Sequence, residues 1–211
     1  KFINNNEYRI NALPAKTWYQ LNMNDKRLLW DDNLVPCDMY TKGCDKVCLD
    51  VNAKDYSDIE NAVLTGAGKE ADVLFEAGVT NTLLVNADKE TNGQTLYINV
   101  NGNDKSQSGK IIVNVEDNVT FTIIENFKGE SSTEGRVALR TLIDTGLNSK
   151  VRLIQVYMQP ESIDVLSDTG CRLSDNASFE IVQVLVGRGS LYDGIRTELI
   201  GNNSAFTADI G

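Results

Sequence analysis

The sequence predicts a mainly β protein, and three observations carry that reading. From about residue 78 onward, β-branched and aromatic residues gather in short, partly alternating runs, with Gly, Asn, Asp and Ser in the gaps. No helical segment of useful length interrupts the series, which argues against a doubly wound α/β sheet. A turn residue followed by an apolar residue also recurs along the second half of the chain.

Residues 1–76 read as a helical and irregular N-terminal region, followed by a β core over 77–211. Pro14 sits where the first turn of a short helix over 13–21 accepts it. Ser57 as N-cap with Glu60 at the capping-box position predicts a second helix over 57–63. Ala71, Leu74 and Phe75 share one side of a further amphipathic turn or two over 68–77. Strands are then expected over 82–85, 95–100, 110–115, 119–125, 137–143, 151–157, 162–166, 178–186, 191–200 and 205–210.

The repeat is carried by Asp117-Asn118, Asn148-Ser149, Asp175-Asn176, Gly189-Ser190 and Asn202-Asn203, each opening a strand. Phe179, Tyr192 and Phe206 lie 13 and 14 residues apart, and Leu153 lies 26 before Phe179. Stacked rungs of a parallel β-helix need such a pattern, because no rung buries its own apolar edge. A β-sandwich also recurs every ~8–12 residues, so periodicity alone leaves both architectures open.

Composition narrows the function. Thirty acidic residues against 20 basic ones give a net charge of −10, which disfavours binding to a phosphate backbone. Apolar runs such as 181–186, broken by Gln183, fall far short of the ~20 residues of a membrane helix. No charged-then-apolar leader opens the sequence, and four cysteines are too sparse for a secreted disulfide scaffold, so a reducing cytoplasm is expected. The sequence has no histidine, which removes Ser-His-Asp, Cys-His and His-ligated zinc chemistry.

The remaining motifs have ordinary readings. Cys37, Cys44 and Cys48 offer three thiols where a closed metal site wants four ligands, so no metal site is assigned. Thr65-Gly66-Ala67-Gly68-Lys69-Glu70 has the wrong spacing for a phosphate loop, and a helix-opening turn explains its glycines. Asn118-Val119-Thr120, Asn176-Ala177-Ser178 and Asn202-Asn203-Ser204 match the glycosylation rule, but solenoid corners explain them better. Asp164, Asp168, Asp175, Glu180, Asp193 and Glu198 could supply paired carboxylates to a carbohydrate-active lyase or hydrolase, yet no spacing singles out a pair. Cys171, beside Arg172, is a cofactor-binding candidate.

Phe121-Thr122-Ile123-Ile124-Glu125-Asn126-Phe127 resembles the strand that opens the core of the SufB/SufD family of iron–sulfur cluster assembly proteins. Residues 138–155, ending in Arg152-Leu153-Ile154-Gln155, resemble the family's next segment, one that ends on a hydrogen-bonding Gln. Residues 173–179, 187–195 and 197–205 resemble later rungs, and Leu13-Pro14-Ala15-Lys16-Thr17-Trp18 is similar to the start of short, D-like members.

The resemblance implies a right-handed parallel β-helix. It implies a non-catalytic scaffold that binds a SufC-like ATPase, pairs with a SufB-like partner or itself, and carries a transient iron–sulfur cluster. A B-type cysteine would fall near Thr197 or Glu198, so the chain resembles the D-like members. It stops at Gly211 in mid-rung, where the resemblance implies further rungs carrying the cluster ligands and the SufC-binding helices. An open final rung is an unpaired edge, so self-association or capping by the N-terminal region is expected.

Overall fold

A computed structural model of the chain describes residues 5–10, 26–31, 33–44, 47–50, 56–77, 81–132 and 134–211. The helix expected over 13–21 lies outside these residues. The core is a parallel β-solenoid of about five turns. Each turn supplies two strands: β6 (Asn81–Ala87) and β7 (Thr95–Gly102), β8 (Ser106–Val115) and β9 (Thr120–Gly129), β10 (Gly135–Thr145) and β11 (Lys150–Tyr157). β12 (Ile163–Leu173) and β13 (Ser178–Leu185), then β14 (Leu191–Leu199) and β15 (Ala205–Ile210), complete it. Even-numbered strands stack as β14-β12-β10-β8-β6 in one sheet, odd-numbered ones as β15-β13-β11-β9-β7 in the other. Neighbours in these stacks are parallel, which a β-sandwich of hairpins cannot produce.

The register fixes the true repeat. Thr95, Thr122, Arg152, Glu180 and Thr207 are successive partners, 27, 30, 28 and 27 residues apart. The 13–14-residue spacing in the sequence is therefore half a turn, which crosses from one sheet to the other. Phe179 and Phe206 are partners whose rings stack at 5.6 Å, while Tyr192 belongs to the opposite sheet. The partner of Phe179 on the preceding rung is Val151 rather than Leu153.

One corner repeats with little change. Asn118, Asn148, Asn176 and Asn203 all have φ between 54° and 62°, the left-handed region that asparagine tolerates better than most residues. Asn148 Nδ2 donates to Asn118 Oδ1 (3.1 Å), and Asn203 Nδ2 to Asn176 Oδ1 (3.3 Å). Asp117 Oδ1 accepts from Leu147 N at 2.7 Å, and Asp175 Oδ1 from Asn202 N at 2.6 Å. The Asn motifs are thus corner chemistry, as expected. Gly189-Ser190 falls on the opposite corner, between β13 and β14, and is no member of the ladder.

The N-terminal region holds strands that the sequence reading did not expect. β1 (Asn5–Ile10) and β2 (Lys26–Asp31) pair antiparallel. β3 (Val35–Pro36) pairs with β8, while β4 (Asp38–Lys42) and β5 (Val47–Asp50) run antiparallel to β7 and β6. They close the first-turn end of the solenoid. Beyond β14 and β15, at the other end, no further strand pairs among the described residues.

Two helices, α1 (Ser57–Ala62) and α2 (Lys69–Ala77), lie on the outer face of the even-numbered sheet. Ser57 is not the N-cap: that position is Tyr56, with no side-chain cap, and Glu60 instead accepts from Lys110 Nζ at 2.8 Å. Ala71, Leu74 and Phe75 are buried together, as their spacing predicts, with Ile10 and Trp30 of the β1–β2 pair and Ala138 and Leu166 of the sheet. Among the described residues, no helix is long and apolar enough to cross a membrane.

Candidate functional site

Strand alternation divides the side chains between the lumen and the outer faces. In the odd-numbered sheet, Phe121, Ile123, Glu125 and Phe127 of β9 are buried, as are Val151, Leu153, Gln155 and Tyr157 of β11. In this sheet the lumen rows are apolar except for one. Glu125, Gln155 and Gln183 are register partners on three successive turns, forming a polar row within an apolar cylinder.

This row is fully engaged. Thr141 Oγ1 donates to Glu125 Oε1 (2.7 Å), and Gln155 Nε2 donates to Glu125 Oε2 (2.8 Å). The Gln155 Nε2 group also reaches Ser167 Oγ at 3.2 Å and Thr169 Oγ1 at 3.4 Å. On its other side, Gln155 Oε1 accepts from Tyr157 OH (3.0 Å) and Gln183 Nε2 (2.8 Å). Asp193, part-buried on β14, faces Gln183, Ser167 and Tyr157. Burial pushes the Glu125 carboxyl up to about 7, against hydrogen bonds from Gln155 and Thr141 that lower it. Asp193 is raised too, first by burial and then by the nearby Asp168, while Tyr157 is raised mainly by burial.

A second network binds the helical layer to the outer face. Arg140 grips the fully buried Asp168 with Nε at 3.0 Å and Nη2 at 2.7 Å, and Nη2 also meets Asp72 of α2 at 2.7 Å. Its guanidinium lies 4.3 Å from the centroid of Phe75. Asp168 Oδ1 accepts from Ala67 N at 2.8 Å, which pins residues 63–68 across the sheet. There the backbones touch, since a Cβ on Gly194 would lie 2.2 Å from Ala67 N. Gly68, with φ +100°, makes the turn into α2, so the glycines of the Thr65–Lys69 stretch serve backbone packing and helix opening.

The six candidate carboxylates do not converge. Asp164 lines a polar groove of about 680 Å3 beside Asp104, Glu134, Glu161 and Arg136. Asp168 is held by Arg140, Asp175 serves a corner, and Asp193 faces the lumen. Glu180 pairs with Arg152 at 2.7 Å and Glu198 with Arg196 at 2.9 Å, both on the outside.

The thiols are buried as well. Cys171 lies on the lumen side of β12, with its thiol raised by burial and then by Asp144. Arg172 points the other way and forks onto Asp144 at 2.8 and 2.7 Å, so it does not activate Cys171. Cys37 and Cys44 belong to the same core cluster, and the Cys37 thiol is raised by burial and by Asp38. Cys48 sits on β5, and its side chain is outside the described set. Among the described residues, no group of three or more Cys, Asp or Glu is placed to hold a metal ion.

The sequence held two signals for the lumen row: Gln183 breaks the apolar run over 181–186 at an inward position, and Gln155 ends the segment whose resemblance implies a hydrogen-bonding Gln. No curated protein and no solved structure matches the chain. The family model of the SUF system FeS cluster assembly SufBD core domain matches residues 97–210, which is β7 to β15 and more than half of the sequence. The chain belongs to the SufB/SufD family of the SUF iron–sulfur cluster assembly system.

Proposed function

We propose that this chain is a scaffold subunit of SUF-type iron–sulfur cluster assembly, without turnover of its own. It binds a SufC-like ATPase and pairs with a SufB-like subunit or a second copy of itself, in the cytoplasm. The observation that carries this reading is the coincidence of the family match with the solenoid turns themselves. Stacked turns present flat faces and long strand edges, surfaces that suit protein partners. The iron–sulfur cluster is cargo of the assembled complex. Cys171 is the thiol of this chain closest to that chemistry in the proposal, and its burial requires the lumen to open at β12 before it meets iron or sulfide. The D-like assignment belongs to the same proposal, since neither Thr197 nor Glu198 supplies a thiol.

The test is anaerobic co-purification of the chain co-expressed with a candidate SufC-like ATPase and a B-like subunit. Iron and sulfide reconstitution follows, read by the visible spectrum. A stable complex whose absorption depends on cysteine supports the scaffold reading. Absence of both complex and absorption removes it, and polysaccharide cleavage becomes the assay to run on the same material.

A further inference from the structure

The lumen row places two carboxyl groups at the ends of one hydrogen-bonded column: Glu125 on β9 and Asp193 on β14. Glu125 is fully buried, and its bonded partners, Thr141 and Gln155, are neutral. The charged group that acts on it is another carboxylate, Asp193. A structural ion pair would place a cation there, as the same protein does for Asp168 on the outer face of β12.

The neighbours suit both charge states. A hydroxyl can donate to a carboxylate or accept from a carboxylic acid, and Thr141 stands at Glu125 while Ser167 and Tyr157 stand at Asp193. Gln155 joins the two ends, since its amide nitrogen serves Glu125 and Ser167 while its oxygen takes Gln183 and Tyr157.

We propose that Glu125 and Asp193 form a proton-binding site in the solenoid lumen, and that loss of its proton loosens the turns that carry it. The groups bonded to Glu125 are Thr141 from β10 and Gln155 from β11, and Gln155 in turn reaches Tyr157 of its own strand and Ser167 and Thr169 of β12. Gln183 and Asp193 complete the column, Ile98 of β7 is the register partner, and Asp168 with Arg140 lies behind β12. Of these, Asp193, Tyr157 and the Asp168–Arg140 pair carry or can acquire charge, and none places a free cation at Glu125.

The sign follows from linkage. Burial favours the protonated form of Glu125, so the folded chain binds a proton that the unfolded chain has released. The full stability is present below 4.5 and is lost as pH rises through about 7.

The experiment is urea unfolding of the full chain between pH 5 and pH 8, with Glu125→Gln and Asp193→Asn beside the native sequence. The native folded-to-unfolded ratio should fall on the order of 10²-fold across that range through Glu125 alone. Glu125→Gln should remove most of this fall, and Asp193→Asn should move its midpoint to lower pH by removing the neighbouring charge. Infrared difference spectra of the native chain supply a readout that needs no variant: a buried protonated-carboxyl band should be present at pH 6 and lost by pH 8. An absent band, or a pH dependence unchanged in a folded Glu125→Gln variant, overturns the proposal.

Discussion

Arg140→Met tests whether the helical layer is held by one buried ion pair. The substitution keeps much of the aliphatic stem and removes the guanidinium. Three contacts go with it: the fork onto Asp168, the bond to Asp72 and the cation–π contact with Phe75. The Asp72 contact is partly solvated and is worth under about 1 kcal/mol. Stacking on Phe75 adds roughly 0.5–1 kcal/mol. The dominant loss is different in kind: Asp168, fully buried, loses its cation and retains the amide of Ala67. Stranding one member of a buried pair costs about 3–5 kcal/mol. With a urea slope of about 2 kcal/mol per molar, a 4 kcal/mol loss moves the unfolding midpoint down by about 2 M. Adding Asp168→Asn should return about half of it, because Asn still accepts from Ala67 N and leaves no uncompensated charge. A loss under about 1 kcal/mol, or a double variant no more stable than Arg140→Met, would refute this reasoning.

Other substitutions probe the corner and the strap. Asn148→Ala should lose about 1–2 kcal/mol, since φ of 54° suits alanine poorly, and the bond to Asn118 disappears. Asn148→Gly should recover most of that loss, as thermal unfolding would show; equal losses would mean that the side-chain ladder outweighs the backbone conformation. Gly194→Ala should destabilise by about 1–3 kcal/mol, because the new Cβ meets the backbone of Ala67 and Gly66. It should also speed tryptic cleavage after Lys69, and an unchanged cleavage rate would show that residues 63–68 accommodate the methyl group in place.

The strands from β6 to β15 were legible because each carries enough β-branched residues to outweigh local ambiguity. The second half of β12 was not. Ser167-Asp168-Thr169-Gly170-Cys171-Arg172 has the composition of a loop, yet it is a strand gripped on both sides by β10 and β14. Its polar residues are satisfied by distant partners, Ser167 and Thr169 by Gln155 inside and Asp168 by Arg140 outside. No local pattern reveals partners 12 to 28 residues away. β1 to β5 were missed for a related reason. They are two to six residues long, too short for alternation to show, and their apolar residues serve a sheet face or a solenoid end built from later sequence.

That distinction explains why the family was readable before the site was. Rung order and corner residues are nearest-neighbour properties of a solenoid, so they leave a periodic trace even when single strings are weak. A lumen row has no such trace, because it takes one residue per turn and tolerates Glu, Gln and Gln in succession provided that hydroxyls from the facing sheet complete them. Arg140 and Glu125 show the two solutions to a buried charge in one protein. On the outer face, where Asp72 of α2 is within reach of solvent, a cation neutralises the acid. In the lumen, where a long cationic side chain would have to replace a packed apolar row, neutral hydrogen bonds take its place. The cost is a carboxyl whose charge is poorly tolerated, which is the physical basis of the pH sensitivity proposed for the lumen.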